Sequence, residues 1–87
     1  MEAAYLLVRA FVLITTKPGT SEEVVRARGI KGVKLANSVF GRYDAIVVIE
    51  AKTIGEIRKT IYEILGKMPN IVHTETHLAI FHPPETG

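Results

Sequence analysis

The alternation of apolar and polar residues predicts four strands, two of which are buried on both faces. Residues 7–15 alternate as a strand with apolar side chains in both alternating sets, and residues 45–49 are apolar at every position. In the first of these strands one face carries Phe11 and Leu13, and the other carries Val8, Ala10, Val12 and Ile14. Strands of this composition are typical of the centre of a sheet.

The other two strands are more polar and are expected at the edges of the sheet. Residues 33–40 alternate loosely and include Lys34 among several polar residues. Residues 71–81 are polar in their first half, and Pro83 ends the strand because proline cannot donate to a ladder. Residues 83–87 are expected to form a flexible tail.

Two segments carry the signals of a helix start. Thr20 with Glu23, and Thr53 with Glu56, have the spacing of a capping box, in which a hydroxyl and an acid satisfy free backbone amides. The first helix is expected to run from residue 20 to about residue 28.

The second helix has a continuous apolar stripe and is expected to stop before Pro69. The stripe consists of Ile54, Ile57, Ile61, Ile64, Leu65 and Met68.

The order β-α-β-β-α-β predicts an α+β fold of the ferredoxin-like type, with an antiparallel four-stranded sheet in the order 4-1-3-2. Two helices cover only one face of such a sheet. We expect the bare face to expose Val8, Val12, Ile14 or their counterparts on the third strand. Each exposed apolar side chain forfeits about 1.5–3 kcal/mol relative to burial. The fold therefore predicts a homodimer in which sheet packs against sheet.

Length and composition are typical of one small cytoplasmic domain. The 87 residues fit a single domain, 1–87, with a core expected over 7–82. The chain has no cysteine, which excludes disulfides and a thiol nucleophile. It has no apolar run of the roughly 18–20 residues that span a membrane, and its start lacks the basic region of a signal peptide. Its richness in Ile, Val, Lys, Arg and Glu is typical of proteins from hot environments.

The net charge of +2 is too small to indicate a polyanion as partner. The one basic cluster consists of Arg26, Arg28, Lys31 and Lys34. A cluster of this kind either contacts nucleic acid or is the solvated end of a helix, and we expect no direct DNA binding.

Three segments, taken in order and spacing, carry a family resemblance. They are ITTKPG at 14–19, VFGRYDAIVVIEAKTIGEI at 39–57 and MPNIVHTETHLAI at 68–80. Together they resemble the amino-acid-sensing C-terminal module of the Lrp/AsnC (feast/famine) transcription regulators. Members usually place a helix-turn-helix domain before this module, whereas about six residues precede the first strand here. A stand-alone ligand-binding module is implied.

The resemblance implies a pocket formed by Gly41, Tyr43 and Asp44 of the G-x-Y-D turn and by Thr74 and Thr76 of the last strand. Gly41 lets backbone amides approach an α-carboxylate while the Asp44 carboxylate receives the ammonium. The family also implies a non-enzymatic effector module of transcription regulation, acting alone or with full-length Lrp/AsnC regulators. In the family this pocket lies between the dimers of a larger assembly, commonly an octamer of four dimers.

Ordinary roles for the same residues remain open. Gly41 permits a hairpin turn, Tyr43 packs as an aromatic, and Asp44 caps turn amides. Arg42, at the variable position of the motif, either selects an acidic ligand side chain or lies in solvent.

One interpretation of the HTETH segment is a metal-binding site, which we do not favour. His73, Glu75 and His77 project from one face of a strand. A zinc site needs three or four ligands with supporting hydrogen bonds, so we expect a solvated polar edge, no metal and no cofactor.

Two other functions compete with effector binding. One is a small dimeric α+β-barrel enzyme, of oxygenase or isomerase type, with His73, His77, Tyr43 and Asp44 as acid–base groups. The chain has no nucleophile elbow, no phosphate-binding glycine loop and no HExxH motif, and we expect it not to be an enzyme. The other is an assembly partner with a vestigial pocket.

Overall fold

The computed structural model describes residues 7–81 and contains four strands, one 3₁₀-helix and one α-helix in that range. The strands are β1 (Leu7–Thr16), β2 (Val33–Ser38), β3 (Ala45–Ala51) and β4 (Ile71–Phe81); the 3₁₀-helix spans Ser21–Gly29 and α1 spans Ile54–Lys67. The strands form one antiparallel sheet in the order β2-β3-β1-β4, which confirms the predicted topology. The predicted tail lies outside the described residues.

The core lies between the sheet and the two helices. The central strands contribute Val8, Ala10, Val12, Ile14, Ala45, Val47 and Ile49. Ile57 and Ile64 of α1 and Val24 and Ala27 of the 3₁₀-helix pack against them. The sheet is thus covered on one face by the helices, as predicted.

The open face of the sheet carries a different set of residues from the one predicted. Val8, Val12 and Ile14 are only 9%, 2% and 0% exposed, because they lie beneath the helices. The open face instead carries the alternate set, which is half-buried or exposed: Leu7, Phe11, Leu13, Leu35, Ile46 and Val48. Both sets are largely apolar, so alternation is a weak indication of which one the helices cover. The open face also carries the ion pair of Arg9 and Glu50.

The first helix differs from the prediction in its type and in its start. Thr20 makes no side-chain cap; its hydroxyl donates to the carbonyl oxygen of Lys17 at 2.7 Å. The predicted capping box at this site is therefore wrong. Val24, Ala27 and Ile30 are all buried. Their spacing of three matches the three-residue turn of a 3₁₀-helix, which places such positions directly above one another.

Helix α1 begins and ends as predicted. The Thr53 hydroxyl accepts a hydrogen bond from the Glu56 amide at 3.1 Å, and the Glu56 carboxylate accepts one from the Lys52 amide at 3.1 Å. The helix stops before Pro69. Neither helix within residues 7–81 is long and apolar enough to cross a membrane.

The predicted stripe of α1 is only partly buried. Ile57, Ile64 and Met68 are buried, whereas Ile54 and Leu65 are exposed.

Candidate functional site

Residues 39–44 form the loop between β2 and β3. The Val39 amide donates to the Asp44 carbonyl oxygen at 2.9 Å and closes this loop. Gly41 has a φ of +124°, which favours glycine, and a Cβ there would meet nothing within 4 Å. The backbone conformation, rather than lack of space, therefore explains glycine at this position. Phe40 is fully exposed beside it.

Asp44 ties the loop to the end of β1. Its Oδ2 accepts a hydrogen bond from the Thr16 amide at 2.9 Å, and its own amide donates to the Ile14 carbonyl oxygen at 2.8 Å. The side chain is half-buried. Within residues 7–81 no hydrogen bond reaches Oδ1. The acid thus performs the ordinary capping role through one of its two carboxylate oxygens.

Tyr43 reaches from the same loop to β4. Its hydroxyl donates to Glu75 Oε1 at 2.6 Å, while His77 Nε2 lies 2.6 Å from Glu75 Oε2. The register pairs Glu75 with Leu13, so these groups lie on the open face of the sheet. Both oxygens of this carboxylate are therefore engaged by named side chains.

The hydrogen bonds of this cluster change its proton affinities. The Tyr43 phenol, followed by the His77 ring, holds the pKa of Glu75 below its usual range. The same bond to Glu75 raises the pKa of Tyr43, and the Arg42 guanidinium acts on the phenol in the opposite direction. Glu75 is therefore ionised at neutral pH and Tyr43 keeps its proton.

Thr74 and Thr76 lie on the other face of β4. The register pairs them with Ile14 and Val12, which face the helices. Since neighbouring strands lie about 4.8 Å apart, Thr74 is separated from the start of β3 by about 10 Å across β1. The chain thus brings Gly41, Arg42, Tyr43 and Asp44 together in one loop but does not bring the two threonines against them. Their shared role in a pocket stays a prediction.

Sequence reasoning did not find the contacts of Glu75 and Thr16 with the loop. Glu75 follows Tyr43 by 32 residues, and no local pattern links them. Within residues 7–81, no three His, Cys, Asp or Glu side chains are grouped so as to hold a metal ion.

A surface depression of about 650 Å³ lies beside β2. Phe11, Leu35, Ile46 and Val48 line part of it, and none of the predicted ligand residues does. The depression is open to solvent, whereas the enzyme alternative calls for an apolar cavity enclosed within one subunit.

Comparison with known proteins places this geometry in context. The family model described as Lrp/AsnC ligand binding domain matches residues 9–86. The chain is similar to the hypothetical protein PHS023 from Pyrococcus horikoshii, with 38% identity, a TM-score of 0.77 and coverage of 86% of this chain and 92% of that one. It is similar to FFRP-DM1, with 38% identity, a TM-score of 0.73 and coverage of 83% and 97%.

A longer protein shares the fold. AsnC of E. coli is 18% identical with a TM-score of 0.71, and the match covers 92% of this chain but 55% of AsnC. No curated protein matches the sequence.

Proposed function

Because the chain belongs to the family of Lrp/AsnC ligand binding domains, we propose that it binds an amino-acid effector and couples that binding to its assembly, as a non-enzymatic module of transcription regulation in the cytoplasm. The observation that carries this proposal is the Asp44 carboxylate, which is fixed by the Thr16 amide through one oxygen and retains the other beside the Gly41 turn.

The loop offers complementary groups for both ends of an α-amino acid. An ammonium placed at Asp44 Oδ1 gains a charge-assisted hydrogen bond to a carboxylate that is already oriented. The α-carboxylate then meets backbone amides around Gly41, where a positive φ favours an anion-binding concavity. Arg42 is exposed and either faces solvent or selects an acidic effector side chain.

The open face of the sheet supports a homodimer. Beside the Arg9–Glu50 ion pair, its side chains over the central strands are the apolar Phe11, Leu13, Ile46 and Val48. An apolar side chain left in water forfeits about 1.5–3 kcal/mol relative to full burial. A second copy of the same face buries this surface by packing sheet on sheet. Thr74 and Thr76 lie on the opposite face of β4 from Glu75. Their hydroxyls therefore complete a pocket only where dimers meet in a larger assembly, such as an octamer of four dimers.

Two relatives are proteins of about the size of this chain. Two relatives with 38% identity are matched over 92% and 97% of their own length. Co-assembly with full-length Lrp/AsnC regulators extends the same proposal.

Calorimetric titration of the chain with each of the twenty amino acids, together with its mass by light scattering, tests this function. A ligand that prefers one assembly state stabilises that state by mass action. We expect at least one amino acid to bind and to change the assembly mass. Absence of heat from all twenty, with an unchanged mass, would refute the proposal.

A further inference from the structure

A recess lies on the helix side of the molecule, between the C-terminal ends of the two helices. This helix-end recess has a volume of about 300 Å³ and is lined by Arg26, Gly29, Ile30, Lys67 and Met68. These residues are the last turn of the 3₁₀-helix, the last residue of α1 and the residue that follows each helix. None of them belongs to the loop at residues 39–44 or to a strand of the sheet. The helix-end recess is therefore separate from the site described above.

The floor of the helix-end recess is apolar and its rim is cationic. Ile30 and Met68 are 7% and 6% exposed and belong to the hydrophobic core. The side chains of Arg26 and Lys67 are 70% and 62% exposed. Small-molecule sites typically combine an apolar lining with a few polar or charged groups that orient the ligand. This lining fits a ligand with an apolar part and a negative charge.

Each cation has an acid of its own helix as a partner, and both pairs are open to solvent. Arg26 Nη2 lies 3.7 Å from Glu23 Oε1, which is beyond hydrogen-bond range. The same oxygen accepts a hydrogen bond from Asn70 Nδ2 at 2.9 Å. Lys67 Nζ lies 3.0 Å from Glu63 Oε2. Solvent-exposed ion pairs contribute little to stability, so an anion in the recess takes over both cations at a small cost.

The neighbouring Arg28 is engaged in a different way. Its Nε donates to the Ala36 carbonyl oxygen at 3.0 Å, and its guanidinium also donates to the Asn37 side chain. Arg28 thus fastens the 3₁₀-helix to β2. Within residues 7–81, Arg26 makes no such hydrogen bond to another element. Packing of the helix therefore accounts for Arg28 and does not account for the position of Arg26 at the recess.

Hydrogen bonds hold the two walls of the recess in place. Asn70 follows α1, and its side-chain amide donates to Glu23 of the 3₁₀-helix at 2.9 Å. The Ile30 amide donates to the Ala27 carbonyl oxygen at 2.9 Å and ends the 3₁₀-helix. A preformed site loses less conformational freedom on binding than one that must be ordered by its ligand.

We propose that the helix-end recess binds the anion of a short aliphatic carboxylic acid. Its carboxylate lies between Arg26 and Lys67, which donate charge-assisted hydrogen bonds to it. Its carbon chain lies against Ile30 and Met68 and is thereby removed from water. An α-amino acid fits poorly, because its ammonium is repelled by both cations. The helix-end recess thus differs in ligand class from the proposed amino-acid site and does not depend on it.

A methionine methyl group reports on the recess even in a large assembly. The chain has two methionines, Met1 and Met68, so protein labelled with ¹³C at the methionine methyl gives two NMR signals, and Met68→Leu assigns them. We expect sodium hexanoate, added at constant ionic strength, to shift the Met68 signal to saturation. The expected dissociation constant is on the order of 1 mM for a ligand of this size. A Met68 signal that hexanoate does not move overturns the proposal.

Three further probes test the ligand class with the same signal. Hexylamine has a chain of the same length with the opposite charge, and norleucine adds an ammonium beside the carboxylate of hexanoate. Acetate has the carboxylate without the chain. We expect each to bind at least about tenfold more weakly than hexanoate, because each lacks one of the two interactions or adds a repulsion. Equal affinity for any of the three contradicts the assigned class.

Charge variants separate the recess from general attraction of an anion to a basic protein. Arg26→Gln and Lys67→Gln are each expected to weaken hexanoate binding about tenfold, the scale for one hydrogen bond to a charged group. Lys34→Gln removes the same charge from the basic cluster outside the recess and should retain wild-type affinity. All three side chains are exposed, so the fold is expected to persist, which circular dichroism verifies. Unchanged affinity in both recess variants, or an equal loss in Lys34→Gln, overturns the site.

Discussion

Tyr43 and Glu75 join the β2–β3 loop to strand β4 through a hydrogen bond of 2.6 Å between the phenol oxygen and Oε1. The bond passes across the end of β1, where Asp44 holds the Thr16 amide. The loop proposed to receive the effector and edge strand β4 are therefore in direct contact. An effector that moves Tyr43 acts on Glu75, which lies on the open face proposed to pack in the dimer, so effector binding has a physical route to assembly.

Replacement of Tyr43 by phenylalanine should raise the pKa of Glu75 toward its ordinary value, because the phenol is the main group that lowers it. A carboxylate with a folded-state pKa below its unfolded one stabilises the fold above the unfolded pKa of about 4.3 and loses that contribution as pH falls through the folded value. The stability difference between wild type and Tyr43→Phe should thus be present at pH 7 and vanish in acid. Carboxyl NMR titration and unfolding at several pH values measure both effects.

The control for this experiment is Tyr62→Phe, which changes an exposed tyrosine on α1. It should leave the titration of Glu75 unaltered. A Glu75 titration that is the same in Tyr43→Phe as in wild type would show that the hydrogen bond does not set its proton affinity.

Asp44 should be needed for effector binding more than for folding. Asp44→Ala is expected to weaken amino-acid binding by about 2–5 kcal/mol, the scale for truncating one member of a buried charged pair. Asp44→Asn is the matched variant, because it keeps an oxygen for the Thr16 amide but removes the charge. We expect both variants to lose affinity, and only Asp44→Ala to lose about 1 kcal/mol of folding stability with the hydrogen bond. Wild-type affinity in Asp44→Asn, measured by calorimetry, would remove this residue from the site.

Val48 lies on the open face of β3, beside Phe11 and Leu35. A charge placed there would have to be buried without a partner when sheet packs on sheet, which is strongly unfavourable. Val48→Glu is therefore expected to separate the two sheets of the dimer and to lower the assembly mass, as measured by sedimentation. Tyr62→Glu adds the same charge to the exposed side of α1 and should leave the mass unchanged. Equal masses for both variants would place the interface elsewhere.

The topology was predictable from sequence because both alternating sets of each central strand are mainly apolar. The choice of covered face had only one signal, the charged residues Arg9 and Glu50, which lie together on the open face. Val12 and Phe11 are both large apolar residues suited to a core. In the structure Val12 lies in the core with Ile57 and Val24, whereas Phe11 lies on the open face. Side-chain alternation defines two faces, whereas the positions of the helices decide which one is buried.

The common position of the candidate residues in one loop was predictable, and their hydrogen-bond partners were not. The G-x-Y-D pattern locates Gly41, Tyr43 and Asp44 at one turn. The contact of Tyr43 with Glu75 depends on strand register across β1, and the HTETH sequence fits a solvated edge equally well. Long-range side-chain pairs of this kind leave no local signal.

The two predicted capping boxes show how backbone conformation overrides a motif. Thr53 is extended, with φ of −136° and ψ of 156°, and its hydroxyl faces the Glu56 amide. Thr20 has φ of −117° and ψ of 8°, and its amide donates to the Lys17 carbonyl at 3.1 Å within the preceding Pro-Gly turn. Thr20 thus belongs to a turn, and its hydroxyl is turned away from the helix that follows.

Removal of the two hydroxyls should therefore have unequal effects. Thr53→Ala is expected to lower the free energy of unfolding by about 1 kcal/mol, the usual loss for an N-cap. Thr20→Ala removes only an exposed hydrogen bond to Lys17 and should change the free energy of unfolding by less than about 0.5 kcal/mol. Urea unfolding at one fixed protein concentration measures both, since the stability of an assembly depends on concentration. Equal losses of unfolding free energy in the two variants would mean that Thr20 caps its helix in solution. The difference in backbone conformation between Thr20 and Thr53 would then have no energetic consequence.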